Sequence, residues 1–166
     1  MQKIIHPMPD KRKIIAAIIH QLETDISIAE QAVKTAHDTA THKDCLGSSK
    51  YETMGTEASY LAQGQGLRLL EIKRALAYFK QLTLPQPATR IALCSLVTLH
   101  DKLGQQQNLW LAADAGGLKI QLEKTSVTVI TAKSPLGCAL LGKEAGDDVE
   151  IRIAAKQHCY EITDVC

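Results

Sequence analysis

The sequence predicts an α+β protein in which a long antiparallel coiled-coil hairpin precedes a small antiparallel β-sheet domain with one short helix. Along residues 10–80, apolar side chains recur in steps of three and four, which is the period of a coiled-coil seam. After Pro85 and Pro87 the pattern changes to short runs rich in β-branched residues, which are typical of strands. With 166 residues, the chain is long enough for two such bodies.

The hairpin is predicted from two apolar seams and the polar turn between them. The chain reverses within the polar run His42–Tyr51, so the two arms are expected to pack antiparallel. We expect the hairpin to span residues 1–82, with its tip near residues 43–50. The predicted seam residues are Ile15, Ile18, Leu22, Ile26, Ala29, Val33, Ala36 and Ala40 in the first arm, and Tyr51, Met54, Ala58, Leu61, Ile72, Leu76 and Phe79 in the second.

The second body is predicted at residues 90–166, after a linker at residues 83–89 that two prolines stiffen. Ser134 and Pro135 suit the cap and the first turn of a short helix over residues 134–141. The single tryptophan, Trp110, is expected in the core of the sheet domain. Six strands are predicted, at Arg90–Leu99, Asn108–Ala112, Leu118–Leu122, Val127–Ile130, Val149–Ile153 and Cys159–Val165.

The composition argues against several classes of function. The 19 basic residues nearly balance the 18 acidic ones, so autonomous binding to nucleic acid is expected to be weak or absent. The five cysteines are scattered and contain no CxxC pair, which is typical of the reducing cytoplasm. Because no apolar run is long enough for a signal peptide or a membrane span, we expect a cytoplasmic protein without a membrane partner.

The run Ser134–Glu150 carries a family resemblance. It reads SPLGCALLGKEAGDDVE and resembles the signature of the C-terminal domain of bacterial Gre transcript-cleavage factors, which is close to SPLGRALLGKxxGDxVE. The order of hairpin, linker and sheet domain is similar too. The resemblance to the GreA/GreB family implies an FKBP-like fold for residues 90–166. It also implies a transcription elongation factor whose hairpin enters the secondary channel of RNA polymerase.

The same resemblance implies an accessory factor that acts on the polymerase active site and is not itself an enzyme. The polymerase-binding residues that it implies lie in or beside the motif, namely Lys133, Ser134, Pro135, Leu136, Gly137 and Lys143. The motif also determines the fold in part, since its leucines are expected to pack the short helix onto the sheet and its glycines to form turns.

The predicted tip departs from the family. Cleavage-competent members read close to HGDLKENAEY, whereas this chain reads HKDCLGSSKY from His42 to Tyr51. Asp44 falls on the family's first acidic residue, and Gly47 falls where the second, a glutamate, would be. The resemblance implies that Asp44 assists a Mg²⁺ shared with the polymerase, since two-metal cleavage needs carboxylate ligands. No stably bound cofactor is expected, and Mg²⁺ and the nascent RNA 3′ end are expected only within the polymerase complex.

One carboxylate in place of two predicts weak or absent stimulation of transcript cleavage. Lys43 and Lys50 flank Asp44 and would oppose a bound cation. The plainer alternative is that Asp44 is a solvated turn residue. The other residues assigned to the tip are His42, Cys45, Gly47, Ser48 and Tyr51. His37 and Asp38 crowd the same end of the hairpin, but the spacing of these histidines, aspartates and Cys45 matches no usual zinc pattern.

Two other classes of function stay open at this point. An FKBP-like prolyl isomerase needs an aromatic-lined apolar pocket, and the whole chain contains one Trp, one Phe and four Tyr. A coiled-coil adaptor needs a well-filled seam to the end of the hairpin, whereas the distal half is rich in alanine and interrupted by Gly55, Gly64 and Gly66. Co-purification with core RNA polymerase would separate both from a Gre-like regulator.

Overall fold

The computed structural model describes residues 9–41, 49–86, 88–122 and 125–166, and it gives their side chains except at positions 40, 49–54 and 153. The chain divides into two compact units. One is Ile19–Gln81, and the other joins the chain up to Ile18 with Leu82–Cys166.

Two long helices form the predicted hairpin, α1 at Lys11–Thr41 and α2 at Ser49–Gln81. Asp10 caps α1, because its carboxylate accepts a hydrogen bond of 2.9 Å from the Arg12 backbone N–H. Helix α2 continues through Gly64 and Gly66 without a break. The predicted turn is His42–Tyr51; residues 42–48 lie outside the described part of the chain, and Ser49–Tyr51 belong to α2.

Two ion pairs fix the antiparallel register of α1 and α2. Lys80 Nζ lies 2.7 Å from Glu23 Oε1, and Lys73 Nζ lies 2.8 Å from Glu30 Oε1. Glu30 follows Glu23 by one heptad in α1, whereas its partner Lys73 precedes Lys80 by one heptad in α2. This opposite order is what an antiparallel coiled coil requires. The hydrogen bond and charge of Lys80 lower the pKa of the Glu23 carboxyl below its ordinary value. Because both pairs are about half exposed, they add little to stability and mainly select the register.

The buried seam of the hairpin follows the predicted period, with one clear error. The predicted residues Ile18, Leu22, Ala29, Ala36, Ala58 and Phe79 are buried. Leu61 is 56% exposed, so its assignment to the seam is wrong. Steps of four and then three residues from Ala58 reach Ala62 and Gln65, which are both half-buried. The seam therefore includes Ala62 and does not include Leu61.

Six strands form one sheet in the second unit, close to the predicted positions. They are β1 at Leu96–Asp101, β2 at Gln106–Ala112, β3 at Lys119–Leu122, β4 at Thr125–Thr131, β5 at Asp148–Ile153 and β6 at Lys156–Val165. Their order is β3–β4–β2–β1–β6–β5. Neighbouring strands pair antiparallel except β2 and β4, which are parallel. After β2 the chain forms β3 at the edge of the sheet and then returns as β4, which lies between β3 and β2. The sheet is therefore mixed, and the α+β class of the chain is confirmed.

The first predicted strand begins too early in the sequence. Arg90 makes only an isolated antiparallel bridge with Glu144. Cys94 has a φ of +69°, which lies outside the extended region of backbone conformations. The Ser95 N–H donates to the Ala92 carbonyl at 3.1 Å, so a turn precedes β1.

Helix α3, Pro135–Leu140, packs onto one face of the sheet, as predicted. Leu140 is fully buried there, and Leu136 and Ala139 contact the same core; its sheet members are Val97, Leu99, Leu109, Leu111, Val149, Ile151 and Ile162. Trp110, between Leu109 and Leu111 on β2, faces the opposite side of the sheet. It is fully buried, which confirms its prediction as a core residue.

Candidate functional site

The corner that leads into α3 is held by the Ser134 side chain. Its hydroxyl donates to the Thr131 carbonyl oxygen at 2.8 Å and accepts from the Gly137 N–H at 3.0 Å. Ser134 is therefore the predicted N-cap, and Pro135 occupies the first turn, where a missing N–H has no consequence. Both residues fix the direction in which α3 leaves β4.

Gly137 is required by packing at this corner. A Cβ built on Gly137 would lie 2.0 Å from the Thr131 carbonyl oxygen and 3.0 Å from Ser134 Oγ. Since the nearest atom belongs to the backbone, no side-chain rotation can relieve the contact. Ser134 and Gly137 thus support the position of α3, and Gly137 itself is buried.

The surface of the corner consists of exposed residues in α3 and directly beside its two ends. Lys133, Pro135, Cys138 and Leu141 are exposed, the last by 42% of its surface. We refer to these four residues as the α3 ridge. Sequence reasoning assigned Lys133 and Pro135 to the site but omitted Cys138 and Leu141. The spacing of three from Pro135 to Cys138 to Leu141 is the signal that could have found them.

The second half of the motif ties α3 to the segment before β1. The Ile91 N–H donates to the Lys143 carbonyl and the Gly142 N–H donates to the Ile91 carbonyl, each at 2.8 Å. Gly142 adopts a φ of +78°, which glycine reaches without a steric penalty. The Lys143 side chain is half-buried, so it is less accessible than that of Lys133.

Most of the predicted tip lies outside the described structure. Asp44, His42, Lys43, Cys45, Gly47 and Ser48 lie outside the described residues, and the side chains of Lys50 and Tyr51 are not described either. His37 and Asp38 are exposed on the last turns of α1. Within the described ranges no group of three or more His, Cys, Asp or Glu residues could hold a metal ion. The Mg²⁺ role of Asp44 therefore stays a prediction from sequence.

The described elements define a class of protein: a two-unit chain with a coiled-coil hairpin and a small mixed-sheet domain. In the described part of the chain, no helix is both long and apolar enough to cross a membrane.

Residues 86–166 match the family model described as "Transcription elongation factor, GreA/GreB, C-term". This part of the chain thus belongs to the GreA/GreB family.

Individual relatives are similar to this chain over most of its length. The chain is 24% identical to transcription elongation factor GreA of Pelobacter propionicus, over 96% of this chain and 97% of that protein. It is 26% identical to GreA of Trichlorobacter lovleyi, over 83% and 84%. Among solved structures, GreA factor homolog 1 (Gfh1) of Thermus thermophilus is 17% identical, covering 90% of this chain and 95% of that one, with a TM-score of 0.37.

Proposed function

We propose that this chain is a Gre-like elongation regulator that binds RNA polymerase through the secondary channel. The observation that carries the proposal is the GreA/GreB match over residues 86–166, together with the likeness to GreA along 96% of the chain. In this proposal the chain acts as an accessory factor on the polymerase active site and is not itself the enzyme. The nascent RNA 3′ end and Mg²⁺ meet it only inside that complex.

The seam of the hairpin supports this mode of action. Ala29, Ala36 and Ala58 are buried, and small seam residues let two helices approach each other closely. A close pair of helices is narrow along its length, which suits entry into a channel. A hairpin of this kind cannot enclose a substrate, so its contribution to chemistry must come from residues carried at the tip.

The tip sequence supports weak or absent stimulation of cleavage. Asp44 supplies one carboxylate, and Gly47 stands where cleavage-competent relatives have the second. A Mg²⁺ that assists RNA hydrolysis needs anionic oxygen ligands on the side that the polymerase leaves open. With one ligand and the positive Lys43 and Lys50 nearby, the second metal ion binds weakly.

The docking contact of the sheet domain falls, in this proposal, on the α3 ridge. Lys133, Pro135 and Leu141 offer charge and apolar surface to the polymerase, while Ser134, Leu136 and Gly137 act as positioning residues through the fold of the corner. Lys143 stands at the edge of the same surface. Lys133 and Leu141 are both exposed, one before α3 and one after it, so they can contribute charge and apolar area to one interface.

The double variant Lys133→Glu with Leu141→Asp is expected to weaken binding of the labelled full chain to core RNA polymerase by at least about tenfold, or about 1.4 kcal/mol. The matched control is Lys156→Glu with Leu103→Asp, which makes the same changes at exposed sites outside the corner. It should stay within about threefold of the natural chain. Unlabelled GreA should compete with the natural chain. Equal losses in both double variants, or binding that GreA does not displace, would contradict the proposal.

A further inference from the structure

A cavity of about 440 Å³ lies beside the linker, entirely within the unit that contains the sheet. Its lining includes Lys11, Pro85, Ala88, Leu93, Cys94 and Cys166. The lining is mainly apolar, and Leu93 is 43% exposed at its edge. The volume falls in the range of pockets that accommodate small ligands. We refer to this feature as the linker cavity.

One wall of the linker cavity is held in place by hydrogen bonds. The Ala92 N–H donates to Ser95 Oγ at 3.0 Å, and the Ser95 N–H donates back to the Ala92 carbonyl at 3.1 Å. Leu96 and Cys166 exchange two backbone hydrogen bonds of 2.9 Å each. A ligand would therefore meet a preformed wall, which lowers the entropic cost of binding.

The linker residues at the cavity offer backbone groups that no other described residue uses. Among the described residues, none forms a hydrogen bond with the backbone of Leu84, Pro85 or Gln86. The carbonyls of these residues and the N–H groups of Leu84 and Gln86 are available to a partner. Extended peptides bind by pairing their own backbone with such groups while their side chains enter adjacent pockets.

The cation that lines the linker cavity is Lys11, and the carboxylate of Asp10 caps the same helix. Lys11, Arg12 and Lys13 form the first turn of α1, which contains no acidic residue, and no ion pair joins them to another described residue. The Lys11 ammonium lies 5.9 Å from the centroid of the Trp110 ring, which holds it in position. Burial raises the pKa of the Cys166 thiol, Lys11 opposes the shift and the Asp164 carboxylate adds to it.

We propose that the linker cavity binds an extended acidic peptide segment of a partner protein. An apolar side chain of that segment enters the cavity beside Leu93, a carboxylate pairs with Lys11, and the peptide backbone pairs with Leu84–Gln86. An acidic segment is favoured because Lys11 lines the cavity and no ion pair joins it to another described residue. This binding needs no RNA polymerase, so it stands or falls independently of the proposed function.

The probe is a fluorescein-labelled, capped peptide Glu-Asp-Leu-Glu-Leu-Asp, titrated with the full chain and followed by anisotropy. Saturable binding is expected. Lys11→Glu should weaken it at least about tenfold, whereas Lys13→Glu, with the same change in net charge, should weaken it less than about threefold. Leu93→Asp should also weaken it at least about tenfold, whereas Leu103→Asp should leave it unchanged. A peptide with serine in place of both leucines should bind at least about tenfold more weakly.

A measurement on the natural chain covers the case in which a variant fails to fold. On addition of the peptide, backbone amide shifts in a ¹⁵N spectrum should concentrate at Lys11 and at residues 83–95. Shifts centred elsewhere, equal effects of Lys11→Glu and Lys13→Glu, or equal binding of the serine peptide would overturn the proposal. Self-association of the chain that Leu93→Asp abolishes would assign the cavity to a second copy and would overturn it too.

Discussion

Replacing Gly47 with glutamate is expected to raise RNA cleavage in a backtracked polymerase complex by about 100-fold over the natural chain. The added carboxylate would stand where cleavage-competent relatives have their second acidic residue and would complete the ligands for a Mg²⁺ shared with the polymerase. A gain of about 100-fold corresponds to roughly 2.7 kcal/mol of transition-state stabilisation. The measurement is the rate of RNA shortening in a single-turnover assay with saturating factor.

Three comparisons make this result specific to the site. Asp44→Ala combined with Gly47→Glu should abolish the gain, because one carboxylate is again missing. Ser48→Glu adds the same charge one residue away and should give less than about a tenth of the gain. The natural chain should cleave weakly. Cleavage by the natural chain at the rate of an ordinary GreA would contradict the role assigned to Gly47.

Gly137→Ala is expected to destabilise the sheet domain by at least about 3 kcal/mol. The new Cβ would meet the Thr131 carbonyl oxygen at 2.0 Å, and relief requires movement of the backbone where β4 turns into α3. For a domain of this size, that loss lowers the melting temperature by about 10 °C or more. Emission of Trp110, the only tryptophan, reports unfolding of this unit separately from the hairpin.

Gly142→Ala is the matched control for Gly137→Ala. Gly142 has a φ of +78° with nothing within 4 Å of an added Cβ, so alanine there costs only the backbone strain of about 1–2 kcal/mol. A melting temperature for Gly137→Ala as high as that for Gly142→Ala would mean that the corner relaxes easily. Gly137 would then not be required by packing at this corner.

Local sequence signals were sufficient for the elements of this fold that depend on near neighbours. Ser134 and Pro135 predict the start of α3 because capping and the first helical turn involve residues three positions apart. The hairpin follows from its apolar period in the same way. Leu61 was misassigned because spacings of three and four are both compatible with a seam, and only the partner helix selects between Leu61 and Ala62.

Features that depend on distant residues could not be predicted. The parallel pairing of β2 with β4 requires β3 to take the sheet edge, which no spacing in the sequence indicates. The linker cavity combines Lys11 with Cys166, near opposite ends of the chain. Within the motif, the sequence does not indicate that Gly137 is buried and Cys138 is exposed. The sheet on which this short helix packs determines which of its residues are buried.

Competition with GreA in a cleavage assay tests the central proposal most directly. A backtracked elongation complex is supplied with a fixed amount of cleavage-competent GreA, and the natural chain is added in increasing amounts. If the natural chain displaces GreA from the secondary channel and brings only one tip carboxylate, RNA cleavage should fall toward the rate of the polymerase alone. The double variant Lys133→Glu with Leu141→Asp should need at least about tenfold more protein for the same inhibition. A cleavage rate that stays constant at saturating chain, or that rises, would contradict the account.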